Sequence, residues 1–346
     1  MYRFSLLIAA SLTVFACAGP IRPASAEGPY HVLGTTKVGG EGGFDYVYAD
    51  SAGRKLYIAR SRQSPRVTVF NLDTLESVGE IAQTGAHGAA VDAKSHHGFA
   101  SSNPVAMWDS NTLALIKTID VDGNPDGLLN DDFNHRTYIF SHAAPNATVI
   151  DANTGAVLGT IDLGGQPEQA ASDGKGHLYV DLEDKAAVAV VDAKTMKVTA
   201  TYSLAGKGAI CAGLALDAKH HVLFVACRNP QVMVMLDSTT GKYLADLPIG
   251  KGSDGAAFNP KTGEAFSSQG DGTLTIIKED SPTTFEVEQT VTTMSGAKTM
   301  TLDTKTGKIF LIGAEYGTPA SPPPGGGRGG RAPMVLGSFS IVVVGK

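Results

Sequence analysis

The stretch that decides the fold runs from Ala209 to Lys242. It reads AICAGLALD (209–217), a turn AKHH (218–221), VLFVAC (222–227), a turn RNPQ (228–231), VMVMLD (232–237) and a turn STTGK (238–242). Three apolar runs rich in Val, Leu and Met, each too short for a helix and separated by polar turns, are the pattern of strands covered on both faces. Asp217 ends the first run, and Phe224 follows it seven residues later. An Asp or Asn followed six or seven residues on by an aromatic recurs at Asp50/Tyr57, Asp92/Phe99, Asp131/Tyr138, Asp173/Tyr179, Asn259/Phe266 and Asp303/Phe310. Successive markers are 42, 39, 42, 44, 42 and 44 residues apart.

A period of this length made of short strands belongs to a four-stranded propeller blade rather than to a helical solenoid. Seven repeats predict an all-β, seven-bladed β-propeller, so that one ring absorbs a length that could otherwise mean two domains. A second marker supports the assignment: Asn71, Asp109, Asp151, Asp192 and Asp237 each end a strand and have a Thr three residues on. Such side chains accept hydrogen bonds from the backbone amides just ahead and close a tight hairpin. The sixth repeat departs from this, with Lys278 at that place. In the seventh, the chain ends after a third strand near 338–344. The strand-like stretch Tyr30–Val38 is therefore predicted to supply the missing outer strand, joining the two chain ends and covering an edge that would invite aggregation.

The segments Gly213-Leu214-Ala215-Leu216-Asp217, Leu223-Phe224-Val225-Ala226, and Val234-Met235-Leu236-Asp237 followed by Thr240-Gly241-Lys242 resemble the YVTN-repeat β-propellers, the YncE-like family of exported bacterial proteins. The resemblance covers residues 30–346. It implies a seven-bladed ring whose relatives mostly lack an established activity, and a role as a binding or scaffold module; fold alone does not carry chemistry.

Residues 1–26 read as a signal peptide: Arg3 is the basic start, 5–17 an apolar stretch too short to span a bilayer, and Ala24-Ser25-Ala26 a small-residue cleavage site. The mature chain, 27–346, is then a single domain in the periplasm or outside the cell. A second reading takes Val14-Phe15-Ala16-Cys17 as a lipobox, with a lipid anchor on Cys17. With 42% apolar and 18% charged residues the chain is not of disordered composition. Its net charge of −6 becomes more negative once Arg3 and Arg22 leave with the signal. With no basic run, no nucleic-acid partner is expected, and no later segment reads as a transmembrane helix.

Repetition itself separates scaffold from site. The marker Asp or Asn recurs in every blade and reads as a turn device. Five residues before each marker the residue varies: Asp45, His87, Asp126, Glu168, Ala212, Asp254 and Lys298. This position enters each innermost strand, so these side chains are expected around one mouth of the central channel. Asp45, His87, Asp126 and Glu168 fall on a contiguous arc with donors suited to a divalent cation or a cationic organic ligand; the sequence names no other cofactor. The bland alternative is a solvated opening with its acids paired to Lys298. An enzymatic alternative is a metal-assisted, lactonase-like hydrolase using the same arc.

Loops between second and third strands should open on the same face, adding Arg60, Arg62, Asn103, His142, Glu183, Arg228 and Gln269. Such a mixed rim suits a small polar ligand or a protein partner. Blade seven carries a Pro/Gly-rich insertion, 317–337, with Arg328 and Arg331, which reads as a flexible loop with Glu315 and Tyr316 at its root. His96, His97, His135, His177, His220 and His221 fall in turns on the opposite face and are expected to be solvated and apart. Cys211 and Cys227 fall opposite each other on a hairpin, a disulfide in an oxidising compartment.

Overall fold

The computed structural model describes residues 28–144, 146–318 and 332–346. The signal segment and Cys17 lie outside these, as do Arg328, Arg331 and most of the insertion. The described residues form seven four-stranded antiparallel sheets. Blade one starts on the inner strand Gly43–Asp50, blade two on Ala89–Asp92 and blade three on Pro125–Asp131; Pro167–Ser172, Ala209–Asp217, Ser253–Asn259 and Thr299–Leu302 begin the next four. Among the described residues no helix is long and apolar enough to cross a membrane.

Why these sequences make wedges follows from strand periodicity. Successive side chains point to opposite faces, and each blade is flanked by two others, so both faces must be apolar. The buried side chains accordingly divide into seven clusters, one between each pair of neighbours. Tyr57 and Ala59 of blade one, for example, pack against Trp108 and Val91 of blade two.

Each marker accepts a backbone N–H from the turn it opens: Asp50 from Gly53, Asp92 from Ser95, Asp131 from Phe133, Asp173 from Lys175, Asp217 from Lys219, Asn259 from Lys261 and Asp303 from Lys305. The second markers do the same, as where Asp237 accepts from Thr239 and Thr240. At Lys278 the turn is absent, and the strand Thr273–Ser281 runs on to pair with Thr284–Thr292.

The ring closes at the chain ends. His31–Lys37 pairs antiparallel with Ser340–Gly345, as the outermost strand of blade seven. Blades seven and one are also tied by Arg54, whose guanidinium donates to both carboxylate oxygens of Asp303 at 2.9 Å. Burial opposes the charge on Asp303, but hydrogen bonds from Arg54, Thr306 and Ser51 outweigh it and hold the carboxyl well below the usual range. A carboxyl depressed on folding contributes its full stability above its unfolded pKa of about 3.9 and loses it as the pH falls through the folded value. Asp303→Asn should lower stability at pH 7 by roughly 3 kcal/mol, the order found on breaking one partner of a buried pair. The gap from wild type should shrink below about pH 4. A gap constant from pH 7 to pH 3 in denaturant titrations would refute the ion-pair account.

Two expectations meet a more specific outcome. The turn histidines are not merely solvated: His97 bonds the carbonyl of Ala152 at 2.8 Å, His135 meets Asp92 at 3.2 Å, and His220 meets Glu279 at 2.8 Å, each reaching a neighbouring blade. Neighbouring turns thus lie close enough for side chains to bridge them. At the root of the insertion, Tyr316 and Met334 form a β-bridge flanked by bonds from Gly317 to Pro333 and from Val335 to Glu315.

Cys211 and Cys227 are directly paired across blade five, with their sulfurs at bonding distance and both residues fully buried. Thiol titration of unreduced, denatured protein should find neither of them free. Two reactive thiols from this pair would show that the bond does not form.

Candidate functional site

The inner edge of every innermost strand faces the axis, where its backbone groups have no further strand to pair with. The four residues just ahead of each marker solve this unevenly. Four before the marker stand Tyr46, Gly88, Gly127, Gln169, Gly213, Gly255 and Thr299. Glycine is needed where blades approach most closely: a Cβ on Gly213 would lie 2.9 Å from the carbonyl carbon of Gly255. The space that the glycines leave is taken by two long side chains. Tyr46 of blade one crosses the axis and donates to Glu168 of blade four at 3.0 Å. Gln169 of blade four accepts from the amides of Leu214 and Ala256 and donates to the carbonyl of Ala256, linking blades four, five and six.

These side chains floor the mouth. Below them lies an axial cavity of about 370 Å³ lined by Ala89, Leu128, Ala257, Met300 and neighbours, with Asn130 and Asp132 among its polar groups. Burial, then Glu168, Asp126 and Asp45, push the Tyr46 hydroxyl well above its ordinary pKa, so it remains a hydrogen-bond donor.

Above the floor, charged side chains from all seven blades follow one another. His87 Nδ1 lies 2.9 Å from Asp45 and 3.0 Å from Asp126. His142 Nε2 lies 3.5 Å from Asp126 and 3.4 Å from Glu168. Arg228 donates to Glu183 at 2.7 Å and also pairs with Asp254, which in turn pairs with Lys298. Blade five has only buried Ala212 at the entry position, and Arg228 from its second strand takes the place.

The electrostatics follow from crowding in a half-buried mouth. Burial pushes the Asp126 carboxyl up to about 6, with Asp45 and Glu168 adding to the rise and His87 and His142 opposing it. The adjacent Glu168 carboxylate raises His142 to about 9 against the effect of burial, with Asp126 adding to the rise. Asp45 likewise raises His87, and burial with Glu168 raises Glu183. The mouth offers carboxylate and imidazole donors on one side and paired cations on the other.

Of the wider rim, Arg60 is buried with its guanidinium 3.8 Å above the Phe339 ring, and Gln269 is fully buried against Thr273 and Ser267. Both serve the fold. Arg62 and Asn103 are exposed.

Three residues escaped sequence reading: Tyr46, Gln169 and Asp181. The first two break a glycine-rich column in the self-alignment, which is a usable signal. Asp181 is fully buried with both carboxylate oxygens unpartnered, and burial, with Glu168 and Glu183, drives its pKa well up. It stands where Ser101 and Ser268 of other blades donate to the entry carbonyls of Asp126 and Lys298. Asp181 thus occupies with a carboxyl the position that those blades fill with a neutral hydroxyl.

No family model matches the chain, and no curated protein matches it. Among solved structures it is similar to a chain of one titled "Crystal Structure of Mitotic Checkpoint Complex", with a TM-score of 0.66 over 89% of this chain and 95% of that one, at 14% identity. At that identity the likeness is one of architecture alone. It agrees with the seven sheets in assigning the chain to the seven-bladed β-propeller fold.

Proposed function

We propose that the protein is an exported binding module, a YVTN-repeat propeller of the YncE-like kind, whose mouth face takes a small polar ligand or a partner's polar segment together with a divalent cation. One observation carries this reading: the seven blades gather their variable residues, not their repeated ones, into two runs of paired charged groups at one mouth. Export is supported by the cleavage-site pattern Ala24-Ser25-Ala26 and by the buried cysteine pair. A lipid anchor at Cys17 is the alternative form of the same export.

The test is a thermal-shift screen of the purified protein against Zn²⁺, Mn²⁺ and Ca²⁺, each alone and with polar small molecules. A ligand at about 100 times its Kd stabilises by about 2.7 kcal/mol, a shift that is readily measured. Arg228→Ala and Glu168→Gln should each reduce it. No shift with any addition would defeat the reading for these probes. A second reading, a metal-assisted hydrolase, is favoured by Asp126, whose raised pKa suits proton transfer near neutrality. Ester or lactone hydrolysis that depends on cation and is lost in Asp126→Ala would support it.

A further inference from the structure

The two halves of Asp126 face different imidazoles. Its Oδ1 lies 3.0 Å from His87 Nδ1, and its Oδ2 lies 3.5 Å from His142 Nε2. Each imidazole has a second carboxylate beyond it, Asp45 for His87 and Glu168 for His142. The donor atoms of Asp45, His87 and Asp126 lie within 4.8 Å of one another, and so do those of Asp126, His142 and Glu168. We propose that the mouth is a dinuclear divalent-cation site, with Asp126 as the bridging carboxylate between one ion held by Asp45 and His87 and another held by His142 and Glu168.

Four observations support it beyond the clustering of acids. Around an ion with bonds of about 2.1 Å, neighbouring ligand atoms are separated by about 3.0 Å in octahedral and about 3.4 Å in tetrahedral geometry. The imidazole-to-carboxylate separations of 2.9–3.5 Å fall in that range. His142 Nε2 is buried and has no hydrogen-bond partner among the described residues, although two carboxylates face it. Contacts of 3.4 and 3.5 Å are long for charged hydrogen bonds but suit an ion lying between the groups. Finally, Tyr46 donates to Glu168 Oε2 and leaves Oε1 turned towards His142, the second-layer support that orients ligating carboxylates.

Mixed imidazole and carboxylate donors suit Zn²⁺ or Mn²⁺ better than Ca²⁺ or Mg²⁺, which take oxygen ligands. A bridged pair about 3.5–4 Å apart binds an anionic oxygen group between its ions, so the ligand class is a phosphate or carboxylate ester or a free oxyanion. This inference rests on the proposed reading of the mouth as a cation-dependent site.

The experiment is native mass spectrometry and calorimetric titration of the protein with Zn²⁺, and electron paramagnetic resonance with Mn²⁺. Another group of donors, Asp217, His220 and Glu279, lies away from the mouth, at the first turn of blade five and on the strand Thr273–Ser281 of blade six. All measurements are therefore made in a His220→Gln background. Two ions are expected per chain, with an exchange-coupled Mn²⁺ spectrum. His87→Gln and His142→Gln should each remove one ion, and Asp126→Asn should abolish the coupling. Circular dichroism melts identify any variant that fails to fold, for which Glu168→Gln or Asp45→Asn replaces it. One ion, or two uncoupled ions indifferent to Asp126→Asn, would overturn the bridge while leaving a mononuclear site. No ion at all would overturn it too, and a polar ligand that still shifted the melting temperature would show the binding-module reading surviving alone.

Discussion

Deleting residues 28–37 should abolish cooperative thermal stability, and Tyr30→Ala alone should lower the melting temperature by about 5–8 °C. The deleted strand is exposed along its whole length, so the loss comes from what it holds. Its six partners, Ser340 to Gly345, would become an unpaired edge beside the fully buried Ile341 and Val344. The main-chain N–H and carbonyl of Tyr30 exchange two hydrogen bonds with the Gln289 side chain, which the deletion removes, and its ring, lost in either variant, packs edge-on against Phe266 at 5.5 Å. Its hydroxyl meets Glu264, which also accepts from Lys346 near the other chain end at 2.7 Å. Truncating a buried aromatic costs about 3–5 kcal/mol. In a ring of this length each kcal/mol lost corresponds to about 1.5 °C. Differential scanning calorimetry decides the matter: an unchanged transition in the deletion would mean that the ring closes without its clasp.

Gln169→Leu should destabilise the protein by roughly 3 kcal/mol even though the side-chain volume is nearly conserved. The replacement leaves the amides of Leu214 and Ala256 and the carbonyl of Ala256 without their partner. Each buried group so abandoned costs about 1–3 kcal/mol, and water from the adjacent axial cavity would offset part of the total. Gln169→Glu keeps the acceptor for both amides but cannot donate to Ala256, so it should fall between wild type and the Leu variant. Urea unfolding of the three proteins gives the order. A Leu variant as stable as wild type would show that Gln169 is not a strut.

Much of the fold was legible because it is written locally. Asp217 caps its own turn and Phe224 fills the wedge beside it, so the pair must recur wherever a blade recurs, and a period of about 40 residues follows without knowledge of any long-range contact. The clasp was legible for a related reason, since a seventh repeat lacking its outer strand leaves one unassigned strand-like segment at the other end. The entry positions were legible as variable columns in an otherwise repeated pattern.

The chemistry at the mouth was less so. Sequence spacing grouped Asp45, His87, Asp126 and Glu168 as one arc, but it did not link Asp126 to Glu168 through His142, nor seat Arg228 beside Asp254. Arg60 and Gln269 looked like rim residues because loop position says nothing of side-chain direction. Tyr46 and Gln169 looked unremarkable because their partners are more than forty residues away.

Strand periodicity, turn chemistry and repeat length were therefore enough to define seven blades and their closure, since each depends on neighbours within one blade. Which carboxylate meets which imidazole, which side chains cross the axis, and which buried acid is pushed up in pKa were decided only in the assembled ring. Those interactions join different blades, and their strength depends on burial and on distances of 2.9 to 3.5 Å that no spacing along the chain encodes.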